Sequence, residues 1–123
     1  MYRFAIVTGQ PDRFVMLAGA LTECAAEATV KWYHSAAAAL EAVVEAAPDL
    51  MVVDENLAET GALSFLRRLM AINAMIHTAV ASSMTPDRFH ETYEGLGVLM
   101  QLPPEPDRSS AQGLLMRLQA LMP

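Results

Sequence analysis

The sequence predicts an α/β protein, with five parallel strands in one sheet and helices on both faces. Three observations carry this expectation. Short apolar runs alternate with longer stretches at helical spacing, and the strand-then-helix order repeats five times, as a parallel sheet with crossover helices requires. The run "DLMVVD", ending at Asp54, is apolar on both of its alternating sets, which suits a central strand covered on two sides. The whole pattern fits within 123 residues with no linker or low-complexity segment, so residues 1–123 read as a single domain.

The elements follow in order. "YRFAIV" reads as a strand, and "PDRFVMLAGALTECAAE" as a helix with Pro11 at its start and Phe14, Leu17, Leu21 and Cys24 on one face. Cys24 lies among Ala and Leu and has no second cysteine to pair with, so it is expected as a small core residue. "ATVKWYHS" is the second strand, rich in β-branched and aromatic residues, with Trp32 and Tyr33 expected half-buried on the edge side. Ser35 caps "AAAALEAVVEAA", whose Leu40, Val43 and Val44 form one face before Pro48 stops it. Beyond "DLMVVD", a turn with Gly61 leads into "LSFLRRLMAI", with Leu63, Phe65, Leu66, Leu69 and Met70 as its apolar residues.

"HTAVAS" is the fourth strand. In "TPDRFHETYEGLG", Thr85 is the N-cap, Pro86 takes the first helical position, and Gly95 ends the helix in the left-handed conformation. "VLMQL" is the fifth strand, "PPEP" a rigid turn, and "SSAQGLLMRLQALM" the last helix. The nine Met residues are expected mostly as core fillers. Leu115, Met116, Leu118 and Met122 exceed what one helix face needs and suggest an adaptable contact surface.

Composition narrows the function classes. Apolar residues make up 54% and charged residues 18%, which excludes disorder and leaves apolar surface for a partner. The net charge is −6, and the Lys and Arg residues are scattered apart from Arg67 and Arg68, so no basic stripe exists for nucleic acid. No apolar run approaches the roughly 20 residues of a membrane span, and Phe4 to Val7 is too short for a signal core. A soluble, cytoplasmic protein with no membrane contact is expected, and the lone Cys24 fits a reducing compartment.

Asp54 is the leading candidate for chemistry, because ligands of open parallel sheets bind beyond the carboxyl ends of the strands. The five-fold alternation, the strand ending in Asp54, the small hydroxyl residue Ser82 ending the fourth strand and Pro103 after the fifth together resemble a response-regulator receiver domain. The resemblance covers nearly the whole chain and implies the (βα)5 flavodoxin-like receiver fold. It also implies that Asp54, in "PDLMVVD", occupies the phosphoacceptor position. Ser82 would take the phosphoryl-contact position, with Ser83 in the small place after it. Pro11 and Pro103 match two prolines of the pattern.

The chain departs from that pattern at the residues that carry its chemistry. Thr8 and Gly9 stand where the family has an acid pair, Leu102 where it has a Lys, and Leu99 where it has a switching aromatic residue. The loop after Asp54 has Ala58 in place of Pro and reaches Gly61 one residue early. A carboxylate attacks a phosphoryl donor only when charge on the transferring oxygens is neutralised, and losing one such group costs roughly 10² to 10³ in rate. Asp54 with a Thr8 hydroxyl and the Asn56 carbonyl is a thin ligand set, so Mg²⁺ binding is expected weak or absent. Glu55 follows Asp54 and in extended geometry points to the other side. Gln10 is neutral and a weak ligand.

The remaining residues have plainer expectations. Asp54 is expected to bond to nearby backbone and to Ser82, and Asp12 to serve a helix start. His34, His77 and His90 have no spacing that suggests one metal site. "TGQ" lacks the glycine series of dinucleotide loops and the Gly-Lys of phosphate loops.

The expected function is that of an atypical receiver-like module in two-component signalling, acting without catalysis or a cofactor. It would contact a partner such as a histidine kinase or an output domain through a preset surface of the fourth helix, fifth strand and last helix, which could also form a homodimer. Two other readings stand beside it: a receiver that accepts phosphate slowly on Asp54, and a flavodoxin-like binder of a small ligand or nucleotide in the same crevice.

Overall fold

Strands β1 (Arg3–Val7), β2 (Thr29–Tyr33), β3 (Leu50–Asp54), β4 (His77–Ala81) and β5 (Val98–Leu102) alternate with helices α1 (Val15–Cys24), α2 (Ala36–Glu45), α3 (Gly61–Ile72), α4 (Pro86–Tyr93) and α5 (Arg108–Leu121). The computed structural model describes residues 1–123. All strand pairs are parallel, in the order β2-β1-β3-β4-β5. The chain therefore steps outward from β1 to β2, then crosses back to β3 and runs on to β5. That reversal puts the switch point of strand order between β1 and β3, the place where open parallel sheets bind ligands beyond the carboxyl ends of the strands.

Alternation along each strand divides the core in two. Phe4, Ile6, Leu50, Val52, Ala79, Ala81 and Leu102 face α1 and α5, whereas Ala5, Val7, Met51, Val53 and Val80 face α2, α3 and α4. All five residues of β3 are buried, as its unbroken apolar run requires. Trp32 and Tyr33 are half-buried on the edge strand β2. Large side chains such as Phe14, Leu17, Phe65 and Leu114 are fully enclosed, and burial of each contributes on the order of 1.5–3 kcal/mol.

Helix ends largely follow the expected signals. The Ser35 hydroxyl accepts from Ala38 N–H, the Thr85 hydroxyl accepts from Arg88 N–H, and Gly95 has φ of 82° just beyond α4. The first helix is shorter than its periodicity suggests. Pro11–Phe14 forms a 3₁₀ turn before α1, and the helix stops at Cys24. Asp12 lies in that first turn, and the turn has no side-chain cap.

Several core assignments need correction. Cys24 is exposed, because Ala25 takes the inward position at the end of α1. Val44 is exposed on α2, where Ala36, Ala39 and Val43 supply the buried face. Met51 is the one fully buried methionine; Met1, Met16, Met70, Met75 and Met116 are exposed. Leu115 and Leu118 belong to the core, which leaves Met116 as the outward residue of that group and Met122 partly buried.

Candidate functional site

The register of the central strands builds the site. β1 and β3 pair with Ile6 opposite Val52 and Val7 opposite Val53, so the next step sets Thr8 beside Asp54. Both residues continue the set that faces α1 and α5. The Thr8 hydroxyl donates to Asp54 Oδ2 at 2.6 Å, and Asn56 N–H donates to Asp54 Oδ1 at 2.9 Å. Thr8 is wholly buried and Asp54 is 5% exposed. Gln10 N–H in turn donates to the Thr8 hydroxyl oxygen at 2.9 Å, which ties the first loop to the hydroxyl that holds the carboxylate.

The neighbouring pair repeats the logic on the opposite face. β3 and β4 pair with Asp54 opposite Ala81, which sets Glu55 beside Ser82. The same alternation that turns Glu55 away from Asp54 turns it toward Ser82. Ser82 Oγ donates to Glu55 Oε2 at 2.5 Å and accepts from Met84 N–H at 3.0 Å. Tyr93, the last residue of α4, approaches the same Glu55 oxygen with its hydroxyl at 3.4 Å. The expected Asp54–Ser82 bond is therefore replaced by two separate pairs, Thr8 with Asp54 and Ser82 with Glu55.

The titration of Tyr93 is displaced. Burial, together with the charge and hydrogen bond of Glu55, pushes its phenol up to about 12. Gln101 on β5 completes the surroundings, donating from Nε2 to the carbonyls of Ser82 at 3.2 Å and Met84 at 2.8 Å. A groove of about 370 Å³ follows between α4 and β5, lined among others by Phe89, His90, Tyr93 and Val98.

The other predicted site residues bring no charge. Gly9 is exposed, and an added Cβ there would meet nothing within 4 Å. Leu102 is buried in the layer beneath α5, and its carbonyl accepts from Ser82 N–H at 2.9 Å. Ser83 is exposed and makes no bond within the site. Leu99 is half-buried at a bulge where β5 shifts register against β4. No group of three or more His, Cys, Asp or Glu side chains is arranged to hold a metal ion. Sequence reasoning missed Glu55, Tyr93 and Gln101 as members of this site.

No family model matches the chain, and no curated protein does so either. Solved structures do match. A two-component response regulator from Legionella pneumophila superposes with a TM-score of 0.81 at 16% identity, covering 98% of this chain and 99% of its own. The chemotaxis response regulator CheY4 of Vibrio cholerae gives 0.81 at 15% identity, covering 96% and 98%. A two-component response regulator from Clostridium difficile gives 0.84 at 12% identity, covering 99% and 98%. With the same five-stranded parallel sheet and five helices end to end, the chain has the flavodoxin-like fold of response-regulator receiver domains.

Proposed function

We propose that this chain is an atypical receiver-like signalling module that acts by protein contact, without phosphorylation of Asp54 as an obligatory switch. The observation that carries this reading is the Thr8–Asp54 hydrogen bond. Both carboxylate oxygens already accept hydrogen bonds, and the residue is buried. Similarity to structures described as response regulators supports the signalling role.

The residues present do not fit Mg²⁺. That ion takes near-octahedral oxygen ligands and is held by carboxylates with phosphate oxygens. Here the Asp54 oxygens are taken by Thr8 and the Asn56 N–H, Glu55 is turned to Ser82 on the other face, and no group of three or more His, Cys, Asp or Glu side chains is gathered for a metal. The position that resembles the family's Lys is Leu102, packed in the core, so that position supplies no cation to balance a transferring phosphoryl group.

Contact with a partner would use α4, β5 and α5. These elements present the groove beside Tyr93, exposed Met116 and exposed Leu121. A signalling protein such as a histidine kinase or output domain, or a second copy of the chain, suits this mixed surface. Incubation with acetyl phosphate and Mg²⁺, followed by intact mass, tests the reading. No mass gain is expected; a phosphoryl gain that disappears in Asp54→Ala overturns it.

A further inference from the structure

Glu55 stands outside both the core and the carboxylate position that the fold emphasises, yet two elements converge on it. Ser82 begins the β4–α4 loop, Tyr93 ends α4, and both hydroxyls address the same Glu55 oxygen. Gln101 ties β5 to the carbonyls of that loop. We propose that Glu55 is a resident carboxylate clamp that holds Ser82 and Tyr93 together and so fixes the β4–α4 loop, α4 and the α4–β5 groove in one arrangement.

The physical need for such a clamp lies in α4 itself. It has eight residues, of which Phe89 and Tyr93 alone are buried. A helix of that length is marginal without tertiary anchors. The Phe89 and Tyr93 rings, with centroids 4.7 Å apart, anchor one side, and the Glu55 bond reaches the far end of the helix. Ser82 relays the constraint, because its hydroxyl uses its proton on Glu55 while its oxygen accepts from Met84 N–H. A charged acceptor makes these bonds stronger than neutral ones. The groove is then preset by a side chain of the protein, with no ligand needed.

This inference rests on the reading of α4 and β5 as a contact face, and its test is independent of phosphorylation. Residue-resolved hydrogen exchange is measured on the full chain as wild type, Glu55→Gln, Glu55→Ala and Tyr93→Phe. Glu55→Ala is expected to speed exchange at Met84 and along α4 about tenfold or more, with β1 and β3 unchanged. Glu55→Gln, which keeps a neutral acceptor, falls between. Wild-type exchange in α4 of Glu55→Ala overturns the clamp, as does an equal acceleration in β1 and β3, which signals general destabilisation. If the clamp variants behave as expected while acetyl phosphate labels Asp54 in the wild type, the clamp stands and the phosphorylation-independent reading falls.

Discussion

The Thr8 hydroxyl donates to Asp54 Oδ2 at 2.6 Å, and the β1–β3 register places these two residues side by side at the buried end of the sheet. The hydroxyl thus satisfies one carboxylate oxygen, while the Asn56 N–H holds the other. Thr8→Val keeps the volume but removes the donor. It is expected to lower stability by about 1–3 kcal/mol in urea unfolding, the usual penalty for an unsatisfied buried acceptor. Thr8→Ser keeps the hydroxyl and should lose less than half as much. A larger loss in Thr8→Ser than in Thr8→Val would mean that the methyl packing, and not the hydrogen bond, is what matters.

Acids placed at the first loop should create a Mg²⁺ site beside Asp54. Thr8→Asp with Gly9→Asp sets two carboxylates near Asp54, and the Gly9 position has room for a Cβ. Crowded like charges destabilise the apo form, and Mg²⁺ binding to the folded state offsets this by mass action. The expected outcome is a Tm that is lowered in chelator and rises with millimolar Mg²⁺ in the double variant alone. A wild-type Tm that rises equally with Mg²⁺ would contradict the assignment of Thr8 and Gly9 as the missing ligands.

At the other end of the chain, Asp107 accepts from Ser110 N–H at 3.1 Å, and Ser110 Oγ accepts from Asp107 N–H at 3.2 Å, a reciprocal cap on α5. Asp107→Ala should cost about 0.5–2 kcal/mol, read as a lower urea midpoint with an unchanged slope. Asp107→Asn should retain most of the stability.

That cap marks the boundary of what was legible in the sequence. The "PPEP" turn and the serines after it announce a helix start, but nothing local distinguishes Asp107 from Ser109 as the residue whose backbone is extended. Strand identity was legible because β3 is apolar on both alternating sets, and the end of β3 at Asp54 followed from it. Cys24 was misplaced because a helical period extrapolated from Phe14 ignores the 3₁₀ turn before α1 and the end of the helix at Cys24, where Ala25 takes the inward place. The methionines were misplaced because Leu, Phe and Ala already fill the inward faces, leaving Met16, Met70 and Met116 outside. Alternation alone gave the side to which Glu55 turns. Its meeting with Ser82 depends on β4 lying beside β3 in a particular register, and its meeting with Tyr93 depends on where α4 ends; neither is a local property of the sequence.

Tyr93 offers a spectroscopic reading of that same meeting. Its phenol is raised from 10.0 to about 12, first by burial and then by the charge and hydrogen bond of Glu55. Because the folded state holds this proton more tightly than the unfolded chain, the associated stability is intact below pH 10 and is lost as pH climbs toward 12. The difference in phenolate absorbance between wild type and Tyr93→Phe isolates this one tyrosine. It should show a single titration near pH 12. In Glu55→Gln the midpoint should move part of the way down, since burial, the largest cause, stays while the neighbouring charge is gone. A midpoint that does not move in Glu55→Gln would mean that burial alone holds the proton, and that the carboxylate is too weakly coupled to the phenol to fix the end of α4.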